Sequence, residues 1–145
     1  MPGLRTPPGE LSDDELVVVV RTISALLIGA AYRLYDQAIA EAMEKTITAP
    51  GKRSFEDASF RATGLHEKQK ELPRINAPVD AAWVEWATST RANWEWLRER
   101  YAAFLQSYMY RFHCAPAWYL EVRRTWLTGP RPRAPGLTPF PEEPC

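Results

Sequence analysis

PVDAAWVEWATSTRANWEWLRERYAAFLQSYMYRFHC, residues 78 to 114, carries a bulky apolar side chain at nearly every third or fourth position. Trp83, Trp86, Ala87, Thr90, Trp94, Leu97, Tyr101, Phe104, Leu105, Tyr108 and Phe112 recur at the step of one helical face. The spacing predicts a long aromatic-rich helix from about Pro78 to about Cys114. Asn76 or Ala77 would cap it, and Pro78 would sit early enough that its missing amide costs no hydrogen bond. Pro116 ends the run. Ser89 leaves a second reading open, because a serine three residues before Ala92 can cap a new helix as well as sit inside one.

A partner for that stripe lies upstream. Ser12-Asp13-Asp14-Glu15 fits a capping box, and the acids of this first turn suit the positive end of a helix dipole. Leu16, Val20, Ile23, Leu27, Ala31, Leu34, Ala38 and Ala42 then step by three or four. Val17 to Val20 alone would favour a strand, but the longer period outvotes the β-branched run. Pro50 and Gly51 break the pattern. Residues 46–75 read poorly: a short helix over Leu65 to Glu71 ending at Pro73, preceded by a loop or another short helix. Long irregular segments in compact domains are commonly functional. A last short helix is expected over Ala117 to Leu127, before Gly129.

The chain ends read differently. Met1 to Leu11 holds three prolines and two glycines, and Thr128 to Cys145 holds six prolines and two glycines. Neither supports regular structure. The expected organisation is therefore all-α: one helical domain over residues 12–127 between a flexible arm (1–11) and a Pro-rich tail (128–145) draped over the body. Its small bundle would have two long helices and short additional ones. A chain of 145 residues suits one such domain.

Eighteen basic residues balance eighteen acidic ones, so global charge names no partner. Locally, eight arginines between Arg91 and Arg133 face only Glu95, Glu99 and Glu121, a net of +5 that could attract phosphate or simply face solvent. Cys114 and Cys145 show no CxxC or ligand-like spacing, which argues against a disulfide framework or a zinc site. No secretory leader is evident. Leu16 to Ala31 is apolar but holds Arg21, Thr22 and Ser24, and reads as a core helix and not a membrane anchor. The expected location is cytoplasmic, with no membrane partner.

All six tryptophans fall between Trp83 and Trp126, interleaved with arginine, a combination that can stack unpaired bases while neutralising phosphates. Rings on the helical stripe, such as Trp86, Trp94 and Tyr101, read as core. Trp96, Tyr110 and Arg111 lie off the stripe and could line a site. His66, with Glu67 and Glu71, could form an acid/base pair, but neither it nor His113 sits in a metal-ligand spacing. No metal or cofactor is expected. Phosphate-loop, dinucleotide and hydrolase signatures are lacking.

The string from Trp86 to Leu97 resembles the pattern W-A-x-x-S-x-x-N-aromatic-x-W-L of small phage and bacterial proteins labelled pyrimidine-dimer DNA glycosylase, or endonuclease V-like. Ser107-Tyr108-Met109-Tyr110-Arg111-Phe112 is similar to that family's E-Y-x-Y-R-aromatic block, and Thr138-Pro139-Phe140 to its closing T-P-F. The chain departs from the pattern at Val17 to Val20, where a lysine is usual, and at His113-Cys114-Ala115-Pro116, where G-K-x-H is usual. The resemblance implies a DNA-associated accessory protein of phage type that binds nucleic acid or a nucleotide, a degenerate glycosylase-like protein without an obvious amine nucleophile. In that reading Asn93 pairs with a base edge, Arg111 holds phosphate, Trp96, Tyr108 or Tyr110 stacks, and His113 carries a proton. The competing expectation is a non-catalytic structural or protein-interaction module whose aromatic helix is purely core and whose tail is a docking strand.

Overall fold

The computed structural model describes residues 3–141; Cys145 and the outermost residues of the expected arm and tail lie outside them. The chain is an all-α bundle of five helices, with no strand among the described residues: α1 (Asp13–Thr48), α2 (Lys52–Lys70), α3 (Ala81–Ser89), α4 (Arg91–Phe112) and α5 (Tyr119–Thr128). A single 3-10 turn, Pro8–Glu10, precedes them.

The capping box forms as its sequence requires. Ser12 Oγ accepts from the Glu15 amide at 3.2 Å, and Glu15 Oε1 accepts from the Ser12 amide at 3.0 Å. These bonds hold the Glu15 carboxyl below its ordinary range. From this cap α1 runs 36 residues, about 54 Å at 1.5 Å per residue. Its middle is the structural axis, with Leu16, Val20, the run from Ile23 to Ile28, Ala30, Ala31 and Leu34 all buried. α1 is long and apolar enough to cross a membrane, but 61% of its most apolar window is covered by the rest of the fold.

The aromatic row is not one helix. Thr90 is extended (φ −139°, ψ 158°), closes α3 and caps α4, its Oγ1 accepting from the Asn93 amide at 3.1 Å. The next two amides of α4, Arg91 and Ala92, donate to the carbonyls of Ala134 and Pro135 at 2.6 and 3.2 Å. The first amides of a helix have no partner within it, and here a segment of the tail supplies the acceptors, so the interruption costs no unpaired donor. Only a contact 43 residues away makes the break favourable, which the local periodicity of the row could not report. α3 likewise opens later than expected, at Asp80, whose Oδ1 accepts from the Ala82 amide at 2.9 Å, and Pro78 stays in the connector.

The second correction is α2. Where the sequence supports a short helix over Leu65 to Glu71, nineteen residues are helical and fold back along the distal half of α1. Ala58, Ala62, Leu65 and Gln69 face inward at helical spacing, while Phe55 and Phe60 are exposed. The inner face of α2 thus carries mostly small side chains, and a stripe with one large apolar residue gives little periodic signal.

The remaining core follows the expected stripes: Trp83, Trp86, Trp94, Leu97, Tyr101, Phe104 and Leu105 are buried with Val122 and Trp126 of α5 against α1. A polar knot sits inside it. Ser24 Oγ bonds the Val20 carbonyl at 2.7 Å and donates toward the Tyr101 hydroxyl at 2.8 Å, and it accepts from Trp118 Nε1 at 2.9 Å, so one hydroxyl joins α1 to α4 and to the start of α5. Ser24→Ala leaves both ring groups without this partner and should cost about 2–4 kcal/mol in urea unfolding; a loss below about 0.5 kcal/mol would show that the knot does not join the three helices.

Burial, partly opposed by these hydrogen bonds, pushes the Tyr101 hydroxyl above its ordinary range. The unfolded chain then gives up this proton first, near pH 10, so stability is held below about pH 10 and falls as pH rises further. Stability measured from pH 8 to pH 11 should decline less steeply in Tyr101→Phe than in the native chain, with a remainder from Tyr35, which burial and the Glu71 charge also raise.

Candidate functional site: a basic cleft beside the central helix

The residues that the sequence nominated as a site do not share one pocket. Asn93 is completely buried, and its side chain is fully committed. Nδ2 donates to the Trp86 carbonyl and to Thr138 Oγ1, each at 2.8 Å, and Oδ1 accepts from the Thr138 amide at 3.0 Å. No donor or acceptor is left for a base edge. Trp96 is half-buried in an aromatic cluster, its ring centroid 4.7 Å from Phe140, 5.5 Å from Trp86 and 6.0 Å from Trp83. Arg5 covers the other end of the cluster, 4.8 Å over the Phe140 ring.

The remaining four lie toward the far end of α4, Arg111 being about 27 Å along the helix from Asn93 at 1.5 Å per residue. Arg111 spends its guanidinium on the arm, donating to the carbonyls of Leu11 and Pro8 at 2.7 and 2.8 Å and pairing with Asp13 at 3.2 Å. The Tyr108 ring packs at a tilt against Phe112, centroids 4.7 Å apart, whereas Tyr110 stands in solvent. His113 is exposed and ends α4 in the left-handed conformation (φ 56°).

The basic run is largely occupied in the same way. Arg100 donates to the carbonyls of Leu4 and Thr6, and Arg100 and Arg111 are eleven residues apart, three helical turns, so both face the arm. Leu4 and Leu11 are buried, and the segment expected to be flexible is instead strapped to α4 over its described residues. The arm offers carbonyls but few internal amide partners, since proline has none, and arginine forks supply the missing donors. Arg131 and Arg98 share Glu95, and Arg133 pairs with Glu41 at 2.6 Å. Of the eight arginines, Arg91, Arg123 and Arg124 are exposed and form no ion pair among the described residues.

The most open chemistry lies elsewhere, in a cleft of about 620 Å³ between α1, the end of α2 and the α2–α3 connector. Ala25, Ile28 and Gly29 of α1, with Ile75 and Val79 of the connector, make an apolar floor. His66 and Lys70 from α2, Arg74 from the connector and Tyr32 from α1 stand around it, all exposed, and no carboxylate lines the cleft. Buried Gln69 fixes the wall, its Nε2 donating to the Tyr32 carbonyl at 3.1 Å and to Asp36 at 2.7 Å. Glu71, considered beside His66 as an acid/base pair, points instead into the neighbouring hollow with Tyr35 and Lys68. No cluster of three potential metal ligands occurs among the described residues.

No protein-family model, curated protein or solved structure matches the chain. Of the cleft, the sequence singled out His66 and the irregular length of residues 46–75, but not Lys70, Arg74 or Tyr32. Lys70 and Arg74 are separated by Glu71, Leu72 and Pro73, and Tyr32 lies 38 residues before Lys70, so only the hairpin unites them.

The blocks around Trp86, Asn93 and Thr138 meet as a fastening of the tail. Asn93→Leu, close in size but without hydrogen-bonding atoms, should lose about 2–4 kcal/mol because the Trp86 carbonyl and the two partly buried polar groups of Thr138 lose their partner. It should also open residues 130–141 to limited proteolysis, and an unchanged digestion pattern would show that the amide does not hold the tail.

Proposed function

We propose that this protein is a binding module for a phosphate-bearing ligand, a nucleotide or a short run of nucleic acid, seated in the cleft between α1 and α2. The observation that carries this reading is the lining: three side chains that bear or can acquire positive charge, His66, Lys70 and Arg74, around an apolar floor with Tyr32 at the rim and no carboxylate. Arginine and lysine donors suit phosphate oxygens, and an exposed phenol ring beside an apolar floor suits the face of a base. The cleft volume is that of a small-ligand site.

The resemblance to glycosylase-like proteins supports the same ligand class, and through it a DNA-associated, phage-type role, while Asn93, Trp96 and Arg111 among the residues it nominated serve the fold. Asn93 and Arg111 are occupied by the tail and the arm, so the proposed recognition shifts to the α2 side of α1. The reading favours binding over bond cleavage, because the cleft joins no nucleophile to a hydrogen-bonded base among the contacts described.

The test is a titration of the full chain with single-stranded and double-stranded oligonucleotides and with mononucleotides, at two salt concentrations. Binding should weaken as salt rises, and Lys70→Ala with Arg74→Ala should reduce the slope of log affinity against log salt by about 2 for an oligonucleotide. Absence of binding at low salt, or binding indifferent to both substitutions, would remove the proposal. Borohydride treatment with abasic-site DNA should leave no covalent adduct; an adduct lost in Lys70→Ala would make the cleft a lyase site instead.

A further inference from the structure

On another flank of α1 the surface has the opposite character. Leu4, Val18, Val19 and Val79 floor a hollow of about 440 Å³, which shares Val18 and Val19 with a second of about 520 Å³. Val18 is 63% and Val79 45% exposed. Asp80 borders the first hollow, and Glu10, Asp14 and Glu15 border the second; neither is lined by lysine or arginine. The nearby arginines are already in use, Arg100 and Arg111 on the arm carbonyls and Arg5 on Phe140. The result is an apolar groove with an acidic rim, in which Glu15 and Asp80 cap helix starts while Glu10 and Asp14 form no ion pair among the described residues.

The same chain displays the complement. α5 buries Val122, Thr125 and Trp126 and turns Leu120, Arg123, Arg124 and Leu127 to solvent. Leu120 is 67% and Leu127 52% exposed. Positions 120, 123, 124 and 127 are spaced as one helical face, with two leucines about 10 Å apart and two arginines between them. Such a face suits an apolar groove with acidic edges.

The two surfaces cannot meet within one molecule. α5 packs on α1 through Trp118 at Ser24, and Ser24 lies about 120° around the α1 axis from Val18 at 3.6 residues per turn. We propose that the Leu120–Leu127 face of α5 in one copy docks in the valine groove of another, so that the chain self-associates through two different surfaces. Leu120 and Leu127 enter against Val18 and Val79, and Arg123 and Arg124 meet the carboxylates of the rim. This inference rests on observations other than those behind the nucleotide cleft, although Val79 borders both openings.

Sedimentation velocity of the full chain across a range of concentrations, at low and high salt, tests it. The native chain should associate as concentration rises, and less so at high salt, since exposed charge pairs are screened. Val18→Glu in the groove and Leu127→Glu on α5 should each weaken association about tenfold or more. An equimolar mixture of these two variants should regain a one-to-one complex, because each retains the surface the other has lost. Asp14→Arg paired with Arg124→Glu provides a second mixture should Val18→Glu fold poorly. A native chain that stays monomeric throughout, association that grows with salt, or variant mixtures that remain monomeric would overturn the proposal; in the first case the groove is left to a basic apolar segment of another protein.

Discussion

Three hydrogen bonds at one buried asparagine hold the two halves of this architecture together. Asn93 stands in the first turn of α4, just after the break at Thr90, and ties the Trp86 carbonyl of α3 to both polar groups of Thr138 in the tail. With the tail fixed there, the carbonyls of Ala134 and Pro135 reach the first amides of α4, and Phe140 is delivered among Trp83, Trp86 and Trp96. The helix can therefore be interrupted without exposing or orphaning its backbone. Take the asparagine away, and the break, the tail and the aromatic cluster lose their common anchor.

The same logic operates at the other end of the chain. Proline-rich segments have carbonyls in excess of amides, so they cannot satisfy themselves and need donors from elsewhere. The arm obtains them from Arg100 and Arg111, the tail from the start of α4. A positive stretch that looks available for phosphate is in large part an internal fastening, and the aromatic residues interleaved with it are in large part core.

This explains which features could be read from residues alone. The Ser12 cap, the α1 stripe and the burial of Trp86, Trp94 and Tyr101 are local or periodic, and local chemistry specifies them. α2 escaped because its inner face is Ala58, Ala62, Leu65 and Gln69, where close approach of backbones replaces bulky apolar side chains. The break at Thr90 was visible only as an alternative, since its cost is met by residues 134–138. Asn93 and Arg111 stood out in sequence for their hydrogen-bonding capacity. That capacity is real, but sequence does not reveal whether a ligand or the chain itself consumes it.

What remains available on the surface follows from what the core has used. α1 is buried along one face by α3, α4 and α5, which leaves its flanks to α2 and to the arm. Beside Gly29 and Tyr32 the flank meets α2 and gathers His66, Lys70 and Arg74; beside Val18 it meets the arm and gathers Glu10, Asp14 and Asp80. A net charge of zero thus conceals a molecule with a cationic cleft and an anionic groove on a single helix. Each flank therefore presents its own sign to whatever approaches it, and the two openings select for chemically opposite ligands although they share one structural support.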